Sequence, residues 1–202
     1  MAEQGIRARQ REHTRGRLVA EGRRLFAAHG YAEVGLAEIV RSAEVTKGAL
    51  YHHFTDKADL FRAVLEEVQR EVGRRVAEAA DAHDAPWARL TAGCRAFLAA
   101  TADPDVQRVM LVDGPAVLGW SAWRATDEAA SGRHLDDVLA ELVDGGVLSP
   151  QPVAPLSHLL SGAMNEAALW LASSRDPEDL TRTQAALERL LDGLRAEPRE
   201  GP

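Results

Sequence analysis

Side chains that can hydrogen-bond to phosphates and to base edges are concentrated in one short stretch, residues 46–57. Both lysines of the chain fall inside it, whereas its other cationic side chains are arginines spread along the sequence. Tyr, His and Lys supply donors to a polyanion, and small residues between them permit close approach. The polar and small residues of this stretch are Thr46, Lys47, Gly48, Ala49, Tyr51, His52, His53 and Lys57.

Two short helices would place this stretch on one surface. The pattern predicts helices over about 36–43 and 47–53, joined by a tight connection at Glu44-Val45. Thr46 stands where the N-cap of the second helix belongs. Such a pair forms a helix-turn-helix, whose second helix can enter a DNA major groove. The apolar residues that would bury one face of each helix are Leu36, Ile39, Val40, Leu50 and Phe54.

Residues 21–67 resemble the DNA-binding domain of the TetR (tetracycline-repressor-like) family. The resemblance covers about a quarter of the chain, and its core, turn and contact positions agree at fixed spacing. It is carried by Gly30-Tyr31, Ile39-Val40, the run Val45-Thr46-Lys47-Gly48-Ala49-Leu50-Tyr51-His52-His53-Phe54, and Lys57.

The resemblance implies DNA contacts residue by residue. Thr46, Tyr51 and Lys57 would bind backbone phosphates. Four residues would lie near base edges, namely Lys47, Gly48, Ala49 and His52. His53 would lie near the phosphates or in the helix packing.

Three positions depart from the family pattern. Gly35 stands where Thr or Ser is usual and gives no side-chain cap to the second helix. Glu44 stands where Gly is usual, so we expect a positive φ that costs about 1 kcal/mol, and a carboxylate facing DNA. Ala49 replaces a Thr and removes one hydroxyl contact. These departures concern operator affinity and sequence preference rather than the fold.

Helical periodicity runs through almost every segment, and strand patterns are nearly absent. We therefore expect an all-α fold with a helix-turn-helix domain over 10–56 and an effector-binding and dimerisation bundle over 57–196. Thr14 is a plausible cap for the first helix, and residues 1–10 and 196–202 are expected to fray. The pattern predicts about nine helices, at about 14–29, 36–43, 47–53, 57–81, 86–101, 104–113, 121–143, 155–172 and 177–194.

Charge and composition are compatible with a cytoplasmic DNA-binding protein. The 202 residues carry a net charge of −7, yet residues 1–62 hold 11 Lys/Arg and 8 Asp/Glu, so the basic surface is local. No apolar run approaches the roughly 18 residues of a membrane span, and the charged N-terminus does not read as a secretory signal. The single Cys94 lies in an apolar helical stretch, which favours a buried, inert thiol.

The C-terminal half is rich in large apolar residues, but it has no motif as specific as the helix-turn-helix pattern. In the TetR family this half holds an effector pocket, typically lined by aromatic and Met side chains with a few polar anchors. For any single tryptophan, ordinary core packing is the better interpretation. The candidate pocket residues are Met110, Asp113, Trp120, Trp123, His134, Met164, Asn165 and Trp170.

The last two helices carry apolar stripes that one chain does not obviously bury. Pairing with a second copy in a four-helix bundle would cover them, and the family resemblance implies the same homodimer. The alternative is that both stripes pack inward against the preceding helices. The candidate interface residues are Leu156, Leu160, Ala163, Ala167, Leu187 and Leu191.

These features predict a repressor released from a pseudo-palindromic operator by a small molecule, with no cofactor and no metal. One rival is a DNA-binding regulator with no small-molecule effector, and activation instead of repression stays open. The other rival is an all-α enzyme, against which stands the absence of GxSxG, phosphate-loop, HExxH and zinc-spaced Cys/His motifs. Adjacent His52 and His53 lie about 100° apart on a helix, which is a poor arrangement for one metal ion.

Overall fold

A computed structural model describes residues 2–127 and 133–196. Within these residues the structure is all-helical, apart from an isolated β-bridge between Leu148 and Arg195. The predicted fold class is confirmed, with ten helices among the described residues where about nine were expected. The helices are α1 Ala2–His29, α2 Leu36–Ser42, α3 Lys47–His53, α4 Lys57–Asp81, α5 Pro86–Thr101, α6 with the successive segments Pro104–Val106, Gln107–Asp113 and Gly114–Leu118, α7 Trp120–Asp127, α8 Arg133–Asp144, α9 Val153–Ser173, and α10 Asp179–Asp192.

Local sequence signals fix the ends of several helices. Helices α2 to α5 begin and end within a residue of the predicted positions, and α1 ends where predicted. Gly30 has a φ of 80° and terminates α1, a conformation that glycine adopts without steric cost. Arg108 lies directly over this glycine, where a Cβ would clash with its guanidinium. Pro86 occupies the first turn of α5, where its missing N–H is not needed.

Three predicted helices differ from the observed ones, and the one predicted over 104–113 continues to Leu118 as α6. Helix α1 begins at Ala2 rather than near Thr14, whose hydroxyl donates back to the carbonyl of Gln10 at 3.0 Å and therefore caps nothing. The helix predicted over 121–143 is instead two helices, α7 and α8. Residues 128–132 of that prediction lie outside the described residues.

Helix α6 contains a π-helical segment, Gln107–Asp113. Widening a helix to this geometry leaves backbone groups that need other partners. Trp123 supplies one, because its indole Nε1–H donates to the carbonyl oxygen of Met110 at 2.7 Å. The indole also packs against Gly114, where a Cβ would lie 2.8 Å from the ring.

The chain forms two compact units, each with its own apolar core. The first contains residues up to Val68 together with Pro104–Arg124, and the second contains Gln69–Asp103 with the described residues from Ala125 onward. The predicted functional boundary after residue 56 stays a prediction. Core side chains of the first unit are Leu18, Phe26, Ile39, Leu50, Phe54, Leu60, Phe61 and Val109; those of the second include Leu90, Leu98, Leu139, Leu142, Ala168 and Leu191.

Cys94 is buried in α5, as its apolar neighbours predict. Burial raises the pKa of its thiol to about 12, so the reactive thiolate is disfavoured. Across the described residues, no helix combines the length and the apolarity that a bilayer crossing requires.

Candidate nucleic-acid interface

Packing beneath the helix-turn-helix holds its two short helices in place. Ile39 of α2 and Leu50 of α3 are fully buried, as their spacing predicts. Beside them Phe26, Tyr31 and Phe61 form an aromatic cluster with ring centroids 5.1–5.7 Å apart. Edge-to-face aromatic contacts of this kind add to the free energy gained from burial. This packing therefore holds α3, and with it the exposed face of α3, in a fixed position.

A hydrogen-bond network joins α1 to the end of α2. The Ser42 hydroxyl donates to Glu21 Oε2 at 2.7 Å, and Arg24 donates to both side chains at 2.8 and 3.0 Å. These hydrogen bonds hold the pKa of Glu21 below its usual value, and the bond from Ser42 has the largest effect. The carboxylate thus stays charged and keeps α2 oriented at neutral pH.

Thr46 caps α3. Its Oγ1 accepts a hydrogen bond from the backbone N–H of Ala49 at 3.1 Å, and its own backbone is extended. The predicted N-cap is therefore confirmed. Gly35 caps α2 without a side-chain bond, also as predicted. The side chain of Ala49 is half-buried.

The solvent face of α3 presents the predicted contact residues. Tyr51 is 51% exposed, Lys47 and His52 are exposed, and His53 is half-buried. The Lys47 ammonium lies 5.8 Å from the centre of the Tyr51 ring. Tyr51 is thus a large aromatic donor held out to solvent beside a cation, as a phosphate contact requires.

Gly48 sits on the same face, and none of the described residues packs where its side chain would be. A Cβ at this position would meet only Thr46 Oγ1, at 3.9 Å. Gly48 lies in the first turn of α3, where glycine costs less than the roughly 0.5–1 kcal/mol it costs in the middle of a helix. The position is open to solvent, so a partner surface can approach the α3 backbone closely there.

Lys57 opens α4 but has structural contacts of its own. Its ammonium donates to the carbonyl oxygen of Ala32 at 3.4 Å and lies 4.2 Å above the ring of Tyr31. A lysine held in this way retains unused N–H donors for a phosphate. Its replacement would nevertheless affect packing as well as any DNA contact.

Glu44 adopts the positive φ that its place in the turn predicts. Its φ of 50° is the only positive value at a non-glycine position among the described residues. The carboxylate is paired with Arg17 of α1 at 3.1 Å and remains largely exposed. The strain and the outward negative charge expected for this departure are both present.

The N-terminal half of α1 contributes cations that our sequence analysis missed. Arg11, together with neighbouring residues of α1, lines an open groove against Gly48, His52 and His53 of α3. Arg15 lies 5.5 Å above the ring of Phe54. The recurrence of arginine at 7, 11 and 15 marks one helix face in the sequence, and this signal could have found them.

In the first unit the predicted effector residues already have structural contacts. Asp113 Oδ2 accepts the backbone N–H of Tyr31 at 2.8 Å and also pairs with Arg108 at 3.3 Å. Met110 and Trp123 are buried and joined by the indole–carbonyl bond of α6. Trp120 is exposed, with its ring 4.9 Å from that of Trp123.

In the second unit the predicted effector residues divide between core and surface. Met164 and Asn165 of α9 are buried, whereas Trp170 and His134 are exposed. Asn165 Nδ2 donates to the buried carboxylate of Asp127 at 3.1 Å. The pocket itself stays a prediction.

The stripe predicted to face a second copy largely faces the core of its own chain. Leu156, Leu160, Leu187 and Leu191 are buried, whereas Ala163 is exposed and Ala167 is partly so. Helical periodicity locates an apolar face but does not say which neighbour covers it. The large apolar side chains left exposed on the described residues of the last two helices are Leu159, Trp170 and Leu190.

Comparison with known proteins adds family evidence to this geometry. A family model of the bacterial regulatory proteins of the tetR family matches residues 18–64, and one of the tetracyclin repressor-like C-terminal domain matches residues 87–194. The chain belongs to the TetR family. Members of the TetR family are DNA-binding transcriptional regulators rather than enzymes, and the helix-turn-helix described above is the family's DNA-binding module.

Individual TetR-family proteins show the same likeness over different lengths. A TetR-family transcriptional regulator from Pectobacterium atrosepticum is 34% identical, with a TM-score of 0.80 over 94% of this chain and 98% of that chain. The HTH-type transcriptional regulator AcrR of Shigella flexneri is 39% identical over 62 residues, which is 31% of this chain and 29% of AcrR. The chain thus spans about a third of the length of the curated relatives it matches in this way.

RolR, solved in complex with resorcinol, shares the fold. Its TM-score is 0.70 at 22% sequence identity, over 91% of this chain and 89% of that chain.

Proposed function

We propose that this TetR-family protein is a homodimeric repressor that binds a pseudo-palindromic operator through α3 and is released by a small molecule. The observation that carries the DNA-binding part is the exposed face of α3. It presents Tyr51, Lys47 and His52 around Gly48, where a Cβ would come no closer than 3.9 Å to any described residue outside α3. A helix of this kind fits a major groove, with its first residues at base edges.

A second copy of the chain is the partner that best covers the exposed face of α9. Leu159 and Trp170 are 72% and 50% exposed, and they flank the small residues Gly162 and Ala163 on the same side of the helix. Leu190 of α10 is 65% exposed. Large apolar side chains around a small-residue window allow two helices to approach closely, and α9 and α10 of two copies would form a four-helix bundle.

Dimerisation and DNA binding reinforce one another geometrically. Two recognition helices related by a two-fold axis reach successive major grooves about 34–36 Å apart, so the operator would be a pseudo-palindrome. The proposed interface uses the exposed side chains of Leu159, Trp170 and Leu190. The four leucines predicted for it from helical periodicity are instead buried within the chain, namely Leu156, Leu160, Leu187 and Leu191.

Two buried amide side chains of the second unit support an effector site. Gln69 of α4 is 2% exposed, and neither of its amide atoms has a hydrogen-bond partner among the described residues. Asn165 is 3% exposed, and its Oδ1 is unpartnered in the same sense. Leaving a buried polar atom unsatisfied costs about 1–3 kcal/mol, so an ordered water molecule or a ligand is expected to complete the bonding of these groups.

These atoms favour an effector with hydroxyl or N–H donors. Asn165 Oδ1 can only accept, while Gln69 can both donate and accept. The resorcinol bound to the similarly folded RolR is a compound with such donors, which is in keeping with the proposal.

The experiment measures release of the purified protein from a DNA fragment that it binds. Resorcinol and its dimethyl ether form a matched probe pair, since they share a ring but only the first carries O–H donors. We expect donor-bearing compounds to release wild-type protein and to fail against Gln69→Met in α4, with Thr101→Val in α5 as the control for a buried polar change in another helix. Operator binding that no compound in a donor-rich collection weakens would refute the effector part and leave the DNA-binding part standing.

A further inference from the structure

An open groove runs between the N-terminal half of α1 and the recognition helix α3, both in the first unit. From α1 it is lined by Arg11, and from α3 by Gly48, His52 and His53. Its volume is about 570 Å³ and it is open to solvent, so it is a surface groove rather than an enclosed cavity. A solute group as large as a sugar-phosphate unit can therefore enter it.

The charges that face this groove favour an anion. Arg11 and Arg15 approach His53 from α1, and His52 adjoins it on α3, with the two imidazole centroids 5.5 Å apart. Glu12 is the acidic group that acts on His53 in the opposite sense. Burial, then His52 and the two arginines, hold the pKa of His53 below its ordinary value. The uncomplexed site thus has a surplus of cations and a neutral imidazole at neutral pH.

We propose that this groove is a second DNA-backbone site, in which Arg11 and His53 together hold a phosphate that flanks the major groove entered by α3. The inference rests on the proposed DNA binding and extends it to α1. A guanidinium can grip a phosphate with two parallel N–H donors, and the imidazole adds a third donor from the opposite wall of the groove. Arg11 is thereby a DNA contact outside the helix-turn-helix.

Proton uptake follows from this arrangement. A phosphate in the groove offsets the arginine charges and favours the imidazolium form of His53, so the bound state holds more protons than the free state around neutral pH. By linkage, affinity rises as pH falls through the window between the pKa of His53 in the free protein and its higher pKa in the complex. One proton changes the affinity by at most tenfold per pH unit.

The first test compares salt dependence for two arginine variants of α1. Removing one phosphate contact lowers the slope of log K against log salt by about 0.9. We expect Arg11→Ala to lose this amount and to bind DNA roughly tenfold more weakly. Arg9→Ala is the matched control, because it removes the same charge two residues away on the opposite side of the helix and should change the slope less. Equal slopes for the two variants would overturn the proposal.

The second test compares affinity between pH about 8 and about 6. Wild-type protein should bind several-fold more tightly at the lower pH, and His53→Gln should lose most of this gain, with the neighbouring His52 of α3 accounting for what is left. His29→Gln, which alters an exposed histidine at the far end of α1, should keep the whole gain. Thermal melts of each variant report folding. Wild-type affinity that does not change with pH, or the same gain in His53→Gln as in wild type, overturns the proposal. Wild-type protein that binds no DNA at all overturns the proposed function itself.

Discussion

Glu44 is the position in the helix-turn-helix at which backbone strain and electrostatics can be separated by two substitutions. Its φ of 50° places a side-chain-bearing residue in the left-handed region, at a cost of about 1–2 kcal/mol. Its partner in an ion pair is Arg17. The side chain of Glu44 is 84% exposed and that of Arg17 is 38% exposed, so the pair contributes about 0–1 kcal/mol to stability. Glu44→Gln removes the charge and keeps the strain, whereas Glu44→Gly removes both.

The two variants should differ in stability by a predictable amount. Glycine relieves the strain but gains backbone freedom in the unfolded chain, which costs about 0.5–1 kcal/mol. We therefore expect Glu44→Gly to exceed Glu44→Gln in free energy of unfolding by about 0.5–1 kcal/mol, and to lie near wild type. Denaturant unfolding at a fixed protein concentration measures this difference.

Both variants should bind DNA several-fold more tightly than wild type, since each removes a carboxylate from the DNA-facing turn and releases Arg17. If Arg17 then reaches a phosphate, the salt slope becomes steeper by about 0.9. Fluorescence anisotropy across a salt series provides both values. Affinity and slope unchanged in Glu44→Gln would show that the carboxylate lies out of reach of the DNA and would refute this reasoning.

Three further predictions follow from buried bonds and exposed faces. Gly48→Ala should leave the free energy of unfolding unchanged or raise it by less than the roughly 0.5–1 kcal/mol of a mid-helix site, because Gly48 lies in the first turn of α3, while it weakens DNA binding, as a melt and a binding titration would show. Asp113→Ala should lower stability by about 1–3 kcal/mol because the Tyr31 N–H loses its partner, and Asp113→Asn should lower it less. Trp170→Glu should shift the sedimentation of the protein from dimer to monomer without unfolding it.

Each of these predictions has an outcome that contradicts it. Tighter DNA binding by Gly48→Ala would mean that no surface approaches the α3 backbone. Equal losses in the two Asp113 variants would mean that the carboxylate, rather than an accepting oxygen, is what matters. A Trp170→Glu protein that still sediments as a dimer would place the interface elsewhere.

The DNA-facing half was predictable from sequence because its signals are local. The cap at Thr46, the four-residue spacing of Leu50 and Phe54, and the glycine that ends α1 each act within one or two turns. The positive φ at Glu44 was foreseen for the same reason. Local signals of this kind need no knowledge of what packs from far along the chain.

The features that were missed depend on contacts between distant residues or lack an apolar pattern. Residues 2–13 of α1 carry almost no apolar face, so periodicity gave no reason to extend the helix there. The π-helical segment of α6 depends on Trp123 filling it from the next helix. Leu156 and Leu187 belong to apolar stripes whose burial within one chain is a tertiary outcome, which a helical period alone does not decide.

The central claim, sequence-specific binding through α3, is tested most directly by selecting bound duplexes from a random-sequence pool with wild-type protein, Tyr51→Phe and Tyr51→Ala. If α3 reads the operator, wild type enriches an inverted repeat whose half-sites lie one helical turn or a multiple of it apart. Affinity for this repeat then falls progressively through the two variants, while their thermal melts match wild type. Failure to enrich any sequence, or equal affinity in all three proteins, would contradict this claim.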